Sequence, residues 1–253
     1  MTYQISFSGG KGSAISALIA YENGLDFNLI FADTGIEDED LHRFNADIAR
    51  AVGKELITLK DGRTPWDVYV DRRYIGNTRL AHCSDELKVK PCMEWMSANA
   101  ELDDPLVLGM DWSEGDRIEL AKARWAPRPV ISLLNKHKVY RQHYAEIFAQ
   151  HKITPPRLYS AGFAHNNCGG FCCKAGQEQF ARLLQFDPAR FDHHASEMDK
   201  AMDAIGPTAK PFLCITIAGK KEYMRLSEFK KHIEAGGQMD IFDTAAGCGC
   251  FTS

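Results

Sequence analysis

The sequence predicts an α/β fold, a mostly parallel sheet with helices on both faces, followed by a cysteine-containing α+β extension. Three observations carry this. Short apolar runs alternate with helix-period segments through the first third of the chain, and a glycine-rich turn joins the first run to the first helix. Beyond about residue 135 that alternation gives way to helical stretches and clustered cysteines. Residues 1–135 are read as the core and 136–253 as an extension packed on it.

Each element has its own signal. YQISF (3–7) is short and rich in β-formers, and Ser8-Gly9-Gly10-Lys11-Gly12-Ser13 follows it as a turn. Residues 14–22 have helical apolar spacing and stop at Asn23-Gly24, a suitable C-cap. FNLIFA (27–32) is the second strand, closed by Asp33-Thr34-Gly35. Residues 38–52 form an amphipathic helix with Leu41, Phe44, Ile48 and Val52 on one stripe, and ELITL (55–59) and PLVLG (105–109) are further strands. Strands alternating with helices imply right-handed crossovers. The extension reads as helices near 138–150, 174–185 and 194–204, a strand at 211–217 and a helix at 227–235.

Composition narrows the function. The 253 residues are 45% apolar and 25% charged, ordinary for a globular protein. A net charge of −4, from 30 basic and 34 acidic residues, argues against a surface that binds nucleic acid everywhere but not against a local basic stripe. No apolar run approaches the roughly 18 residues that span a bilayer, and no secretory signal is evident at MTYQISFSGG. The expected setting is the reducing cytoplasm, without a membrane. Eight cysteines then read as metal or sulfur chemistry rather than disulfides, with Cys168, Cys172 and Cys173 in one knot and Cys248 and Cys250 in another.

The glycine turn is built for an anion. Glycines let backbone approach a phosphate without Cβ clash, and the first helical turn offers unpaired N–H groups at the positive end of the dipole. Lys11 adds a cation, and Ser8 and Ser13 add hydroxyls. A Walker A loop does not match the spacing, and a dinucleotide fingerprint would need glycine at Ile15.

The turn resembles the SGGxDS pyrophosphate-binding loop (PP-loop) of the N-type ATP pyrophosphatase, or adenine nucleotide alpha-hydrolase-like, superfamily. Three more segments resemble its phosphoadenosine phosphosulfate (PAPS) reductase-like members in the same order: Phe31-Ala32-Asp33-Thr34-Gly35 with Glu37, Cys83-Ser84 with Leu87 to Pro91, and Leu108-Gly109 with Asp116-Arg117. Gly12 stands where the family often has Asp. The resemblance implies ATP cleavage between the α- and β-phosphates, adenylylation of an acceptor oxygen and displacement of AMP by sulfur or nitrogen. It assigns ATP binding to Ser8, Gly9, Gly10, Lys11, Gly12, Ser13, Asp33, Thr34, Gly109 and Arg117, with Lys11, Asp33 and Cys83 as catalytic groups and Asp33 on the Mg²⁺ side. Within that superfamily the chain resembles the ATP pyrophosphatase components of bacterial DNA phosphorothioation systems. That implies a cysteine desulfurase or other sulfur donor and a nucleic-acid acceptor as partners.

Cys83 lies near His82, Lys88 and Lys90, cations that favour its thiolate. Lys88, Lys90 and Arg79 are candidate phosphate ligands. Cys168, Cys172, Cys248 and Cys250 are candidate ligands of a [4Fe–4S] cluster or of Zn²⁺, with Cys173 able to replace Cys172 and Cys83 any one member. Unliganded redox or persulfide thiols are the alternative. Lys220, Lys221, Arg225, Lys230 and Lys231 are a candidate DNA path. Two rival functions stand beside this one: a sulfonucleotide reductase using Cys248 or Cys250, and a non-catalytic nucleotide sensor.

Overall fold

The computed structural model describes residues 1–217 and 219–240. The chain opens with β1 (Tyr3–Ser6), α1 (Lys11–Glu22), β2 (Phe27–Asp33), α2 (Glu39–Ala51) and β3 (Leu56–Lys60). There follow α3 (Pro65–Asp71), α4 (His82–Ser84), a π-helical turn (Asp85–Val89), α5 (Lys90–Asn99), β4 (Leu106–Val107), α6 (Gly115–Trp125) and β5 (Val130–Ile131). The five strands form one sheet in the order β3-β2-β1-β4-β5, every pair parallel. The expected α/β architecture is observed.

Side-chain alternation along the strands splits the core into two layers. Leu29 and Val107 face Ile15 and Leu18 of α1 and Phe44 and Ile48 of α2, whereas Ile30 and Leu106 face Cys92 and Met96 of α5 and Ala121 and Trp125 of α6. All are buried. Helices therefore cover both faces of the sheet.

The remainder is α7 (Leu133–Lys136), α8 (Tyr144–Gln150), α9 (Arg157–Ser160), α10 (Gln177–Phe186), α11 (Pro188–Ile205), β6 (Leu213–Ile217), β7 (Lys220–Met224) and α12 (Leu226–Glu234). β6 and β7 pair antiparallel, giving the extension its α+β character. Tyr144 and Phe148 of α8 join the sheet's core on the α1 side. α10 to α12 and the hairpin bury Phe180, Phe191, Met198, Leu213 and Phe229 against Trp66 and Tyr69 of α3 in a third cluster. The helix expected over 138–150 begins only at Tyr144, because Lys138 has a left-handed backbone and a 3₁₀ turn, Arg141–His143, precedes α8. The helix expected over 194–204 starts six residues earlier, at Pro188, where proline suits a first helical turn and the Asp187 side chain accepts from the Arg190 N–H.

Candidate functional site

The strand order reverses at β1. From β1 the chain steps outward to β2 and β3, then returns to lay β4 and β5 on the other side. Open parallel sheets bind ligands at such a switch point, beyond the carboxyl ends of the strands. Here the segments leaving β1 and β4 are the glycine loop and Leu108-Gly109. They touch: a Cβ built on Gly12 would lie 2.2 Å from the Gly109 carbonyl oxygen, and one on Gly109 would lie 2.2 Å from the Ser13 nitrogen. Two glycines facing each other are what allow this approach.

A cleft of about 440 Å³ opens there. Ser8, Gly10, Lys11, Gly12, Ser13, Gly109 and Arg117 line it, so most of the residues assigned to ATP converge. Within the loop, Ser13 Oγ donates to the Gly10 carbonyl at 2.9 Å and accepts from the Ser8 N–H at 3.2 Å. Gly10 precedes α1 with no side-chain cap, which leaves that helix end suited to an anion. The Lys11 N–H donates to the Tyr159 hydroxyl at 3.2 Å, and its ammonium sits 4.1 Å from the Tyr159 ring centre. Burial lowers the Lys11 pKa from its usual value. On the far wall Asp111 pairs with Arg141 at 2.5 Å and Glu114 pairs with Arg117.

Some assigned residues lie elsewhere. Gly9 is not in the cleft wall; its carbonyl accepts from Asn166 Nδ2 at 3.3 Å. Asp33 is buried at the end of β2, outside the cleft wall, bonded to Lys60 at 2.8 Å and to the Gly35 N–H at 2.9 Å. Burial works to raise its pKa, and these two partners outweigh that and hold it below the usual range. Thr34 faces a second, smaller cavity.

That second cavity, about 30 Å³, is walled by Cys83, Cys168, Cys172 and Cys173. The structure thus brings Cys168 and Cys172 together with Cys83 and Cys173, while Cys248 and Cys250 lie outside the described residues. None of the described cysteines is disulfide-bonded. Cys83 is lowered to about 7 by a hydrogen bond from Cys173, against the effect of burial, with Tyr69 and Lys88 assisting. Cys168 is pushed up by burial, and Cys173 by its contacts with Cys172 and Cys83. Among the described residues, no three His, Cys, Asp or Glu side chains stand ready-arranged around a metal ion.

Lys88 is common to the walls of both cavities. Its ammonium lies 3.4 Å from Cys168 Sγ and 3.8 Å from the Glu37 carboxylate. Glu37 is buried, which raises its pKa, and it accepts from Thr34 Oγ1 at 2.9 Å and from the Cys168 N–H. Arg79, Lys90 and the 220–231 stretch line neither cavity. In that stretch Lys230 pairs with Asp192 at 2.6 Å and Arg225 with Asp199 at 3.1 Å. Sequence reasoning did not single out Asp111, Glu114, Arg141 or Tyr159 for the cleft. Only Glu114 carried a signal, three residues before Arg117.

The cleft at the switch point gathers the glycine loop, Lys88, Gly109 and Arg117, a part of what the resemblance to PAPS reductase-like adenine nucleotide alpha-hydrolases implies, whereas Asp33, Thr34 and Cys83 lie outside its wall. No family model matches the chain. It is similar to two uncharacterized proteins of Methanocaldococcus jannaschii, 34% identical over 91 residues and 25% identical over 175 residues. These matches cover 36% and 68% of this chain, which spans only 22% and 36% of those relatives' lengths. Among solved structures it is similar to a PAPS reductase from Candida auris in a phosphate complex (TM-score 0.45, 12% identity, 64% of this chain and 78% of that one). It is also similar to a predicted subunit of tRNA methyltransferase from Methanocaldococcus jannaschii (TM-score 0.35, 19% identity, 59% of this chain and 76% of that one). No described helix is long and apolar enough to cross a membrane.

Proposed function

We propose that the chain is an ATP pyrophosphatase that adenylylates an acceptor oxygen and so prepares it for replacement by sulfur, with nucleic acid as the acceptor, as in DNA phosphorothioation. One observation carries the reading: the glycine-loop cleft at the switch point shares Lys88 with a cavity of four thiols. Phosphate chemistry and sulfur chemistry have a common wall.

In the reaction the acceptor oxygen attacks the α-phosphorus, the bond to the bridging oxygen breaks, and pyrophosphate leaves. The amides at the start of α1 and the Lys11 ammonium face the charge that builds on pyrophosphate, and fixed donors of this kind stabilise it most when preorganised. The Tyr159 ring and hydroxyl keep Lys11 in place. A sulfur nucleophile then displaces AMP. Mg²⁺ would be held by Asp111 and Glu114, the carboxylates in the cleft wall, and would supply charge neutralisation for the phosphates. Asp33, held by Lys60, is placed to orient the loop at Gly35 rather than to meet the nucleotide.

Cys83, Cys168, Cys172 and Cys173 share one cavity, but among the described residues no three of them are arranged around a metal ion, so they serve in this reading as unliganded thiols that would carry sulfur beside the cleft. The sulfur donor would be a cysteine desulfurase or an equivalent partner, acting in a cytoplasmic setting where thiols stay reduced. Incubating the protein with Mg²⁺, α-labelled ATP and nucleic acid tests the reading. AMP and pyrophosphate support it. ADP and phosphate, or no turnover with reduction of an adenylyl sulfate instead, would overturn it.

A further inference from the structure

We propose that Trp112 and Tyr140 form a stacking platform, on the rim of the cleft, for an unpaired nucleobase of a single-stranded nucleic acid. The proposal rests on the adenylylation reading only in taking that strand to be the acceptor. Trp112 is 66% exposed and Tyr140 39% exposed, and their centres lie 6.4 Å apart edge to face. His143 adds a third ring 5.6 Å from Tyr140. The two turns that carry the rings are tied together by Arg141, which reaches from beside Tyr140 to Asp111 at 2.5 Å and Glu114 at 3.7 Å, the residues flanking the Trp112 turn.

The rings belong to the rim and not to the nucleotide cleft. Asp111, Glu114 and Arg141 line the cleft, whereas Trp112, Tyr140 and His143 do not. About 440 Å³ is the scale of a single small ligand, so a base on the rings comes from a second molecule. Charge identifies its class. Residues 136–143 read Lys-His-Lys-Val-Tyr-Arg-Gln-His, with no acid, in a chain whose net charge is −4. Lys136 and Lys138 are exposed and form no ion pair with an acid of the described residues. Interleaved cations and ring faces match alternating phosphates and bases, and a base offers its face only when unpaired. This segment is then the nucleic-acid path beside the cleft.

The test measures fluorescence anisotropy of a labelled twelve-nucleotide oligothymidine, an oligouridine of the same length and the matching duplex with the whole chain, at several salt concentrations. Single strands should bind more tightly than duplex, and DNA against RNA identifies the source. Trp112→Ala and Tyr140→Ala should each weaken single-strand binding by about 5- to 150-fold, with Trp112→Phe recovering most of the loss. Lys136→Ala with Lys138→Ala should flatten the salt slope by roughly 0.7 per lost phosphate contact. Wild-type affinity in both alanine variants, or duplex binding as tight as single strand, would overturn the platform. So would weaker binding of an ATP analogue in Trp112→Ala with strand binding intact, which would put adenine on the rings. AMP release is read in parallel. AMP formation without ring-dependent strand binding removes the platform alone, and ring-dependent binding without AMP formation supports the platform and removes the adenylylation reading.

Discussion

Gly12 stands where related loops often carry an acid, and the structure gives the reason. Any Cβ at this position would meet the Gly109 backbone carbonyl at 2.2 Å, and backbone cannot swing aside as a side chain can. Gly12→Ala is expected to lower stability by about 1–3 kcal/mol, as overpacking does, measured by urea denaturation. Lys11→Ala is expected to reduce AMP formation by roughly 100- to 1,000-fold, the usual cost of removing one preorganised donor. His194 gives a pH dependence. It is buried, accepts from Trp66 Nε1 at 3.2 Å and stacks 4.3 Å from Phe171. Burial lowers its pKa from 6.5 to about 3. Between those values the unfolded chain binds the proton that the folded one refuses, so stability falls as pH drops below about 6.5, by up to about 1.4 kcal/mol per unit. Urea midpoints from pH 7 to 4.5 should show a shallower acid slope in His194→Phe; an unchanged slope would exclude His194 as its source.

Elements differ in how far the sequence announced them. α2 was legible because Leu41, Phe44 and Ile48 repeat at helical spacing above a polar face, and all three are buried. α3, α5 and α6 went unread: Trp66 to Tyr69 and Cys92 to Met96 pack into cores formed with distant segments, and a short helix of that kind carries little periodicity of its own. The π-helical turn Asp85–Val89 was also invisible, yet it buries Lys88 between Cys168 and Glu37. Breaking a buried pair by removing one partner leaves the other charge uncompensated. Lys88→Met is expected to destabilise the fold by about 3–5 kcal/mol in urea denaturation, and adding Glu37→Gln should restore a substantial part of it. A double variant as unstable as the sum of its single changes would contradict the pairing.

Across the whole molecule, the class of fold and the glycine turn between β1 and α1 were legible, because both rest on local patterns. Strand order was not, and strand order makes the site. Nothing near Gly12 or Gly109 in the chain says that β4 returns beside β1, or that Tyr159, some 150 residues away, will hold Lys11. The cysteines show the same limit: two of the four expected metal ligands, Cys168 and Cys172, meet Cys83 and Cys173 through tertiary packing that spacing alone does not encode. What joins these parts is the claim that the glycine loop grips the phosphate tail of an adenine nucleotide. Titrating the isotope-labelled protein with α,β-methylene ATP and following backbone amide resonances tests it directly. The account predicts the largest shifts at Gly10, Lys11, Gly12 and Ser13, with smaller ones at Gly109. Amides of that loop left unmoved while saturating analogue perturbs another region would contradict it.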